Sequence, residues 1–165
     1  MATAALYLIT GTSGVGKSTL VEELKQRLSA ARFAVHDFDE GGVPANADAA
    51  WRQKRTAAWV KQAEANAQQG KSTVVCGVIA PNEVICPASL STHFCLLSAS
   101  PALISSRLQS RGWSEALIHD NLGWAEHLKS QVLAKPLHQV VSVDELTPAA
   151  VAKTVVRWIL TSSSR

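Results

Sequence analysis

Residues 11–19 read Gly11-Thr12-Ser13-Gly14-Val15-Gly16-Lys17-Ser18-Thr19 and fit the pattern G-x-x-x-x-G-K-[ST], in which residue type and spacing both serve the capture of phosphate. The glycines let the chain fold so that successive N–H groups point into one concavity, and a helix starting at this point adds the positive end of its dipole. Lys17 is placed to reach the outer phosphates of a nucleoside triphosphate, and the Ser18 hydroxyl to take a coordination position on Mg²⁺. The expected cofactors are therefore ATP and Mg²⁺, with residues 11–19 as the nucleotide-binding segment. A second chemical cluster is His36-Asp37-Phe38-Asp39-Glu40. Its two carboxylates, one residue apart, suit a division between positioning a metal and taking a proton, although the same residues also suit an ordinary polar turn.

The elements around these residues must bring them together. Residues 6–10 form a short apolar run ending in the glycine-rich turn, which predicts a strand buried on both faces. A helix follows, with Leu20, Leu24 and Leu28 at four-residue spacing, ending near Ala31. Residues 33–37 predict a second strand, and a loop containing Gly41, Gly42 and Pro44 separates it from a helix over 49–69 that Gly70 ends. Residues 73–78 and 93–98 read as the third and fourth strands. Ser100-Pro101 and Thr147-Pro148 are N-cap signals for further helices, a helix over 114–134 precedes Pro136, and residues 139–143 predict a fifth strand.

Strands alternating with helices imply a parallel sheet, hence an α/β fold: a three-layer α/β/α sandwich on five parallel strands. Ligands bind such sheets beyond the carboxyl ends of the strands, so residues 11–19, 37–42, 77–83 and 98–100 should converge. The 165 residues fit one domain, 1–165, better than two. With 16 Lys and Arg against 13 Asp and Glu, scattered without runs, the net charge predicts neither a nucleic-acid nor a membrane partner. Three cysteines, Cys76, Cys86 and Cys95, read as free buried thiols in a reducing, cytoplasmic setting. The polar residues 161–165 are expected to fray.

On its phosphate-binding loop and order of elements, the chain resembles the small P-loop kinases: the nucleoside monophosphate, shikimate, gluconate and adenylylsulfate kinases and chloramphenicol phosphotransferase. The resemblance implies a P-loop NTPase fold, a small-molecule phosphoryl acceptor, a helical substrate region at about 41–69 and a lid at about 107–128, in a monomer or homodimer. In similar kinases an acidic residue after the second strand assists the metal or takes the acceptor's proton. Asp37 is then the candidate for metal positioning with Ser18, and Asp39 for substrate contact or general base. Arg107 and Arg111, one helical turn apart, occupy the segment where such kinases carry lid arginines that neutralise the transferring phosphoryl group; both also suit the solvated face of a helix. Lys17, Asp37, Asp39, Arg107 and Arg111 form the candidate catalytic set.

Trp51, Arg55 and Trp59, with Arg52 beside them, form a helical stripe that suits either a stacking and anion-binding wall for the acceptor or packed core. Trp51, Arg52, Arg55 and Asp39 are the candidate acceptor-binding residues. The third strand, Thr73-Val74-Val75-Cys76-Gly77, departs from the family because it lacks the acidic residue that often ends the Walker B strand, which shifts metal positioning toward Asp37. A D-G-x-P-R pattern of adenylate kinases is also absent. The competing expectation is a GTP- or ATP-binding switch or hydrolase without an acceptor. Asp39-Glu40-Gly41-Gly42 fits D-x-x-G formally, but it follows the loop too closely and no N-K-x-D guanine-reading motif occurs.

Overall fold

The computed structural model describes residues 3–164. Five strands, β1 (Ala5–Thr10), β2 (Phe33–Asp37), β3 (Ser72–Gly77), β4 (Ser91–Ser98) and β5 (His138–Ser142), form one parallel sheet in the order β2-β3-β1-β4-β5. The most apolar run takes the centre: every residue of β1 is buried. It pairs with β3 from Leu6↔Thr73 to Thr10↔Gly77 and with β4 from Ala5↔Ser91 to Thr10↔Leu96.

Because side chains alternate across a strand, β1 supplies two cores at once. Tyr7 and Ile9 join Leu20 and Leu24 of α1 (Lys17–Arg27), Ile104 and Leu108 of α3 (Pro101–Ser110), and Val155 and Ile159 of α5 (Pro148–Ser163). Leu6 and Leu8 face the other way, toward Trp59 and Val60 of α2 (Ala49–Gln68) and Leu128 and Val132 of α4 (Glu115–Leu133). Burying each such Leu contributes on the order of 2 kcal/mol, so neither helical layer can be lost without collapse of the sheet it covers. The result is the expected three-layer α/β/α sandwich.

Chain order places a switch point at the end of β1, since the chain leaves it for β2 through α1 on one face of the sheet and later passes from β3 to β4 across the other face. The loop at 11–19 leaves the sheet there. Thr10 fastens the adjoining loop: its Oγ1 donates to Ile79 O at 2.7 Å and accepts from Ile79 N at 2.9 Å.

Three expectations require correction. The first helix stops at Arg27, not near Ala31, because buried Leu28 turns to an extended conformation and the backbone closes a tight turn into β2 through Phe33 N donating to Ser29 O at 2.9 Å. Residues 161–163 are not a frayed tail: α5 runs to Ser163, which is buried with its Oγ 2.7 Å from the Tyr7 hydroxyl. Residue 165 of that expected tail lies outside the described residues. Cys76 and Cys95 are buried in β3 and β4, but Cys86 is exposed, since it follows a single 3₁₀ turn (Pro81–Glu83) in a surface loop.

Candidate active site

The loop at 11–19 obtains its shape from positions where only glycine fits. A Cβ at Gly11 would lie 2.8 Å from Val15 Cγ2 and 3.0 Å from the Leu97 carbonyl, and Gly16 adopts φ 97° as the N-cap of α1. That helix differs from the other four. Asp48, Ser100, Ser114 and Thr147 each cap α2, α3, α4 and α5 with a side-chain oxygen, whereas α1 begins without a side-chain cap and without an acidic residue in its first turn. Its leading N–H groups therefore lack a protein anion, which is the condition under which a helix start receives a phosphate.

A cavity of about 240 Å³ opens over this helix start, lined by Ser13, Gly14, Gly16, Lys17, Ser18 and Thr19 from the loop, Asp37 and Asp39 from the end of β2, the backbone turn after β3, and Arg111. Lys17 is half-buried here and its Nζ donates to Thr12 O at 2.6 Å. Burial lowers its pKa to about 8, and the positive charge of Arg111 adds to that effect against the opposing pull of Asp39 and Asp37. Burial pushes the Cys76 thiol far up, so it stays protonated and contributes no charge to the balance. Asp37 Oδ1 accepts the Asp39 N–H at 2.8 Å, an Asx turn that fixes the two carboxylates relative to each other. Asp39, though exposed as a residue, has its pKa raised, by partial shielding of its carboxyl from water first and by the neighbouring Asp37 second, with Lys17 and Arg55 pulling the other way.

Ser18 and Asp37 line the same cavity and offer one hydroxyl and one carboxylate. Among the described residues no group of three or more His, Cys, Asp or Glu converges. A hard cation that keeps most of its ligands as water and phosphate oxygens, as Mg²⁺ does, fits such a sparse donor set.

The two candidate arginines separate. Arg111 lines the cavity with the carboxylates, while Arg107 donates from Nη1 to Gly14 O at 2.8 Å and faces a second cavity, of about 200 Å³, on the other flank of the loop. Both arginines line that second cavity with Val15, Thr19, Val143 and Leu146. Its far wall is the loop after β5, pinned to the start of α3 by Asp144, whose carboxylate accepts the Ser100 N–H at 3.0 and 3.1 Å. Glu145 beside it has φ 62°, a left-handed conformation unusual for a residue with a side chain. This loop is not among the segments expected to converge, which stop at four strand ends; the same rule extended to the fifth strand adds residues 143–146.

The Trp51, Arg52, Arg55, Trp59 stripe lies outside the carboxylate cavity. Trp59 is core, its Nε1 donating to Phe38 O at 3.2 Å. Arg55 donates from Nε to the same carbonyl at 3.2 Å and from Nη2 to Glu40 O, with its guanidinium 5.0 Å from the Trp59 ring centroid. Arg52 faces Glu83 at 3.5 Å, and half-buried Trp51 meets Phe38 edge-on. In place of a free anion-binding wall, this face of α2 straps down the loop that carries Asp37 and Asp39. Residues 107–128, where a lid is expected, form the end of α3, a turn and most of α4, whose Asn121 Nδ2 donates to Ser13 O at 3.2 Å.

A family model described as an AAA domain matches residues 8–128, from the first strand through most of α4. The chain belongs to this AAA-domain family. No curated protein matches the chain. Among solved structures, this AAA-domain chain is similar to a sugar kinase from Janibacter sp. HTCC2649, with 17% identity, TM-score 0.69, and 98% of this chain and 97% of that chain covered. It is also similar to a gluconokinase from Sinorhizobium meliloti 1021, with 16% identity, TM-score 0.68, and 99% and 96% covered. A shikimate kinase from Acinetobacter baumannii in complex with shikimate shares 13% identity with TM-score 0.66, over 99% and 97% of the chains. The fold is thus that of small P-loop kinases over essentially its whole length.

Proposed function

We propose that this AAA-domain chain is an ATP-dependent phosphotransferase, acting as a single domain, that moves the γ-phosphoryl group to a small hydroxylated acceptor such as a nucleoside, a nucleotide or a metabolite. The observation that carries this reading is the uncapped start of α1 opening into the same cavity as Lys17, Asp37 and Asp39. A phosphate-binding helix start alone serves a switch equally well; a pair of carboxylates across the cavity from it supplies what an acceptor hydroxyl needs.

In this reading the second cavity takes the nucleoside, between Arg107 and the loop at 143–146, and the triphosphate runs over Gly14 and Gly16 into the first. Lys17 exchanges the Thr12 carbonyl for phosphate oxygens, and Arg111, shared by both cavities, neutralises charge developing on the transferring group. Ser18 and Asp37 would hold Mg²⁺, which when bound screens the phosphate charge. Asp39 orients the acceptor hydroxyl and takes its proton, a role that a raised pKa serves because a stronger base removes the proton more readily.

A fluorescent nonhydrolysable ATP analogue and an ADP-release assay test the proposal together. Lys17→Ala is expected to fold normally and to lose most nucleotide affinity, on the order of 2 kcal/mol or more for a removed charge-assisted contact. Wild-type ADP release should rise when a suitable acceptor is added. Analogue binding that is unchanged by Lys17→Ala contradicts the nucleotide site, and ADP release that no acceptor accelerates assigns the chain to the switch or hydrolase class.

A further inference from the structure

On the proposed kinase activity rests a narrower question: what charge does the acceptor carry? Two of the proteins similar in fold are a gluconokinase and a shikimate kinase, and an acid acceptor needs a cation free to receive it. In this chain the two arginines on the face of α2 that meets the loop after β2 are already engaged, while Lys54 and Lys61 line a separate cavity on that helix. Arg55 donates to the carbonyls of Phe38 and Glu40 and lies over Trp59, and Arg52 faces Glu83. Lys17 and Arg111 are the cationic side chains lining the carboxylate cavity among the described residues, and both sit where the triphosphate must be neutralised.

The walls away from the phosphate loop are of opposite character. Cys76, Gly77 and Val78 are neutral, and Asp37 and Asp39 are anionic, without an ion-pair partner within 4 Å among the described residues. Asp37 has one oxygen committed to the Asp39 N–H, while Asp39 is exposed toward the cavity mouth. Glu40 follows Asp39 and contacts His36, and Glu83 faces Arg52. An anionic acceptor entering here meets like charge, with Lys17 and Arg111 facing the phosphates and Arg55 held to backbone carbonyls, whereas a protonated amine or a neutral polyol meets acceptor oxygens suited to it.

We propose that the acceptor is a neutral or amine-bearing polyhydroxylated molecule, selected against acids by the Asp37–Asp39 wall and by the engagement of Arg52 and Arg55 in holding the loop after β2.

The experiment uses matched compounds that differ only in charge: a sugar, its amino sugar and its sugar acid, and a nucleoside with its monophosphate. Acceptor-dependent ADP release is measured on the full chain, along with thermal stabilisation by each compound in the presence of the nonhydrolysable analogue. Neutral or amino members should exceed their acidic partners by about tenfold or more in kcat/KM. Asp39→Asn should narrow the amine-to-acid ratio of thermal stabilisation, a binding readout that its loss of turnover does not touch. Preference for the sugar acid or the nucleotide, or a ratio that Asp39→Asn leaves unmoved, overturns the assignment while leaving the kinase reading intact. Analogue binding without ADP release from any compound overturns the kinase reading, and this proposal with it.

Discussion

Gly77 ends β3 where related strands often place a carboxylate, and the structure gives its own reason for glycine: a Cβ added there would sit 2.3 Å from Phe38 Cβ and 3.0 Å from Phe38 Cγ. Ordinary carbon contacts begin near 3.5 Å, so an alanine must displace Phe38 by about 1 Å. Rotation of the phenyl ring cannot relieve an overlap at Cβ. Nor can the Phe38 backbone yield alone, because its N–H donates to Cys76 O at 2.8 Å and its carbonyl accepts from both Arg55 and Trp59 at 3.2 Å. Gly77→Ala should therefore cost about 1 to 3 kcal/mol, as overpacking of a filled core does. For a chain of this length that corresponds to a fall in Tm of roughly 3 to 10 °C. The displacement must pass to Asp37 and Asp39 on either side of Phe38, while the loop at 11–19 is untouched. Turnover should then fall by more than tenfold with ATP-analogue affinity changed less than about threefold, since a misplacement of about 1 Å in a reacting constellation costs on the order of a hundredfold. Differential scanning calorimetry and steady-state kinetics measure the two effects. A Gly77→Ala protein with wild-type Tm and turnover would refute the claim that Phe38 is held against Gly77 and carries the carboxylates with it.

Three further outcomes are expected. Gly123 lies in α4 with nothing within 4 Å of an added Cβ, so Gly123→Ala should raise stability by about 1 kcal/mol in a denaturant titration, opposite in sign to Gly77→Ala. Ser163→Ala should cost about 1 kcal/mol in the same titration, because it takes from the buried Tyr7 hydroxyl its 2.7 Å partner and leaves only the Ile159 carbonyl at 3.4 Å. Lys17 should make nucleotide binding take up protons. Its pKa is held near 8 by burial, below its ordinary value of 10.5, and bound phosphates raise it again, so uptake of about half a proton is expected at pH 8 and almost none at pH 6. Titration calorimetry in buffers of different ionisation enthalpy reads that uptake, and equal uptake at pH 6 and pH 8 would contradict it.

The strands were legible because each is a short apolar run next to glycine, proline or a cap, and β2 (Phe33–Asp37) falls where the sequence places it. The caps Ser100 and Thr147 carried the same clarity, since a hydroxyl followed by proline has one common use. Helix ends were less legible. Leu28 continues the helical spacing of Leu20 and Leu24, yet it is buried from an extended backbone, because the chain must turn at once to enter β2. A spacing rule sees the side chain's destination but not the backbone route to it. The same blindness applied to the α2 stripe: Arg55 reads as a free cation in sequence, and only the position of the Phe38 and Glu40 carbonyls turns it into a strap. The loop after β5 carries no chemical signature at all. Val143 and Leu146 share a cavity with Arg107, a juxtaposition made by topology alone.

The place of the carboxylates follows from that topology as well. With Gly77 closing β3, no acid stands on the strand next to β1, and the nearest strand end able to supply one is β2, beyond it. Asp37 pairs in register with Cys76 and so reaches the same level as the phosphate loop from one strand further out. Moving the acid outward has two consequences. It leaves a neutral gap at Cys76, Gly77 and Val78 between carboxylate and phosphate, which is where an acceptor can sit. It also puts the acids on an edge strand with only one hydrogen-bonded neighbour, so their position depends on something besides the sheet. Phe38 against Gly77 and Arg55 with Trp59 from α2 provide that support, Arg55 through the Phe38 and Glu40 carbonyls that flank Asp39.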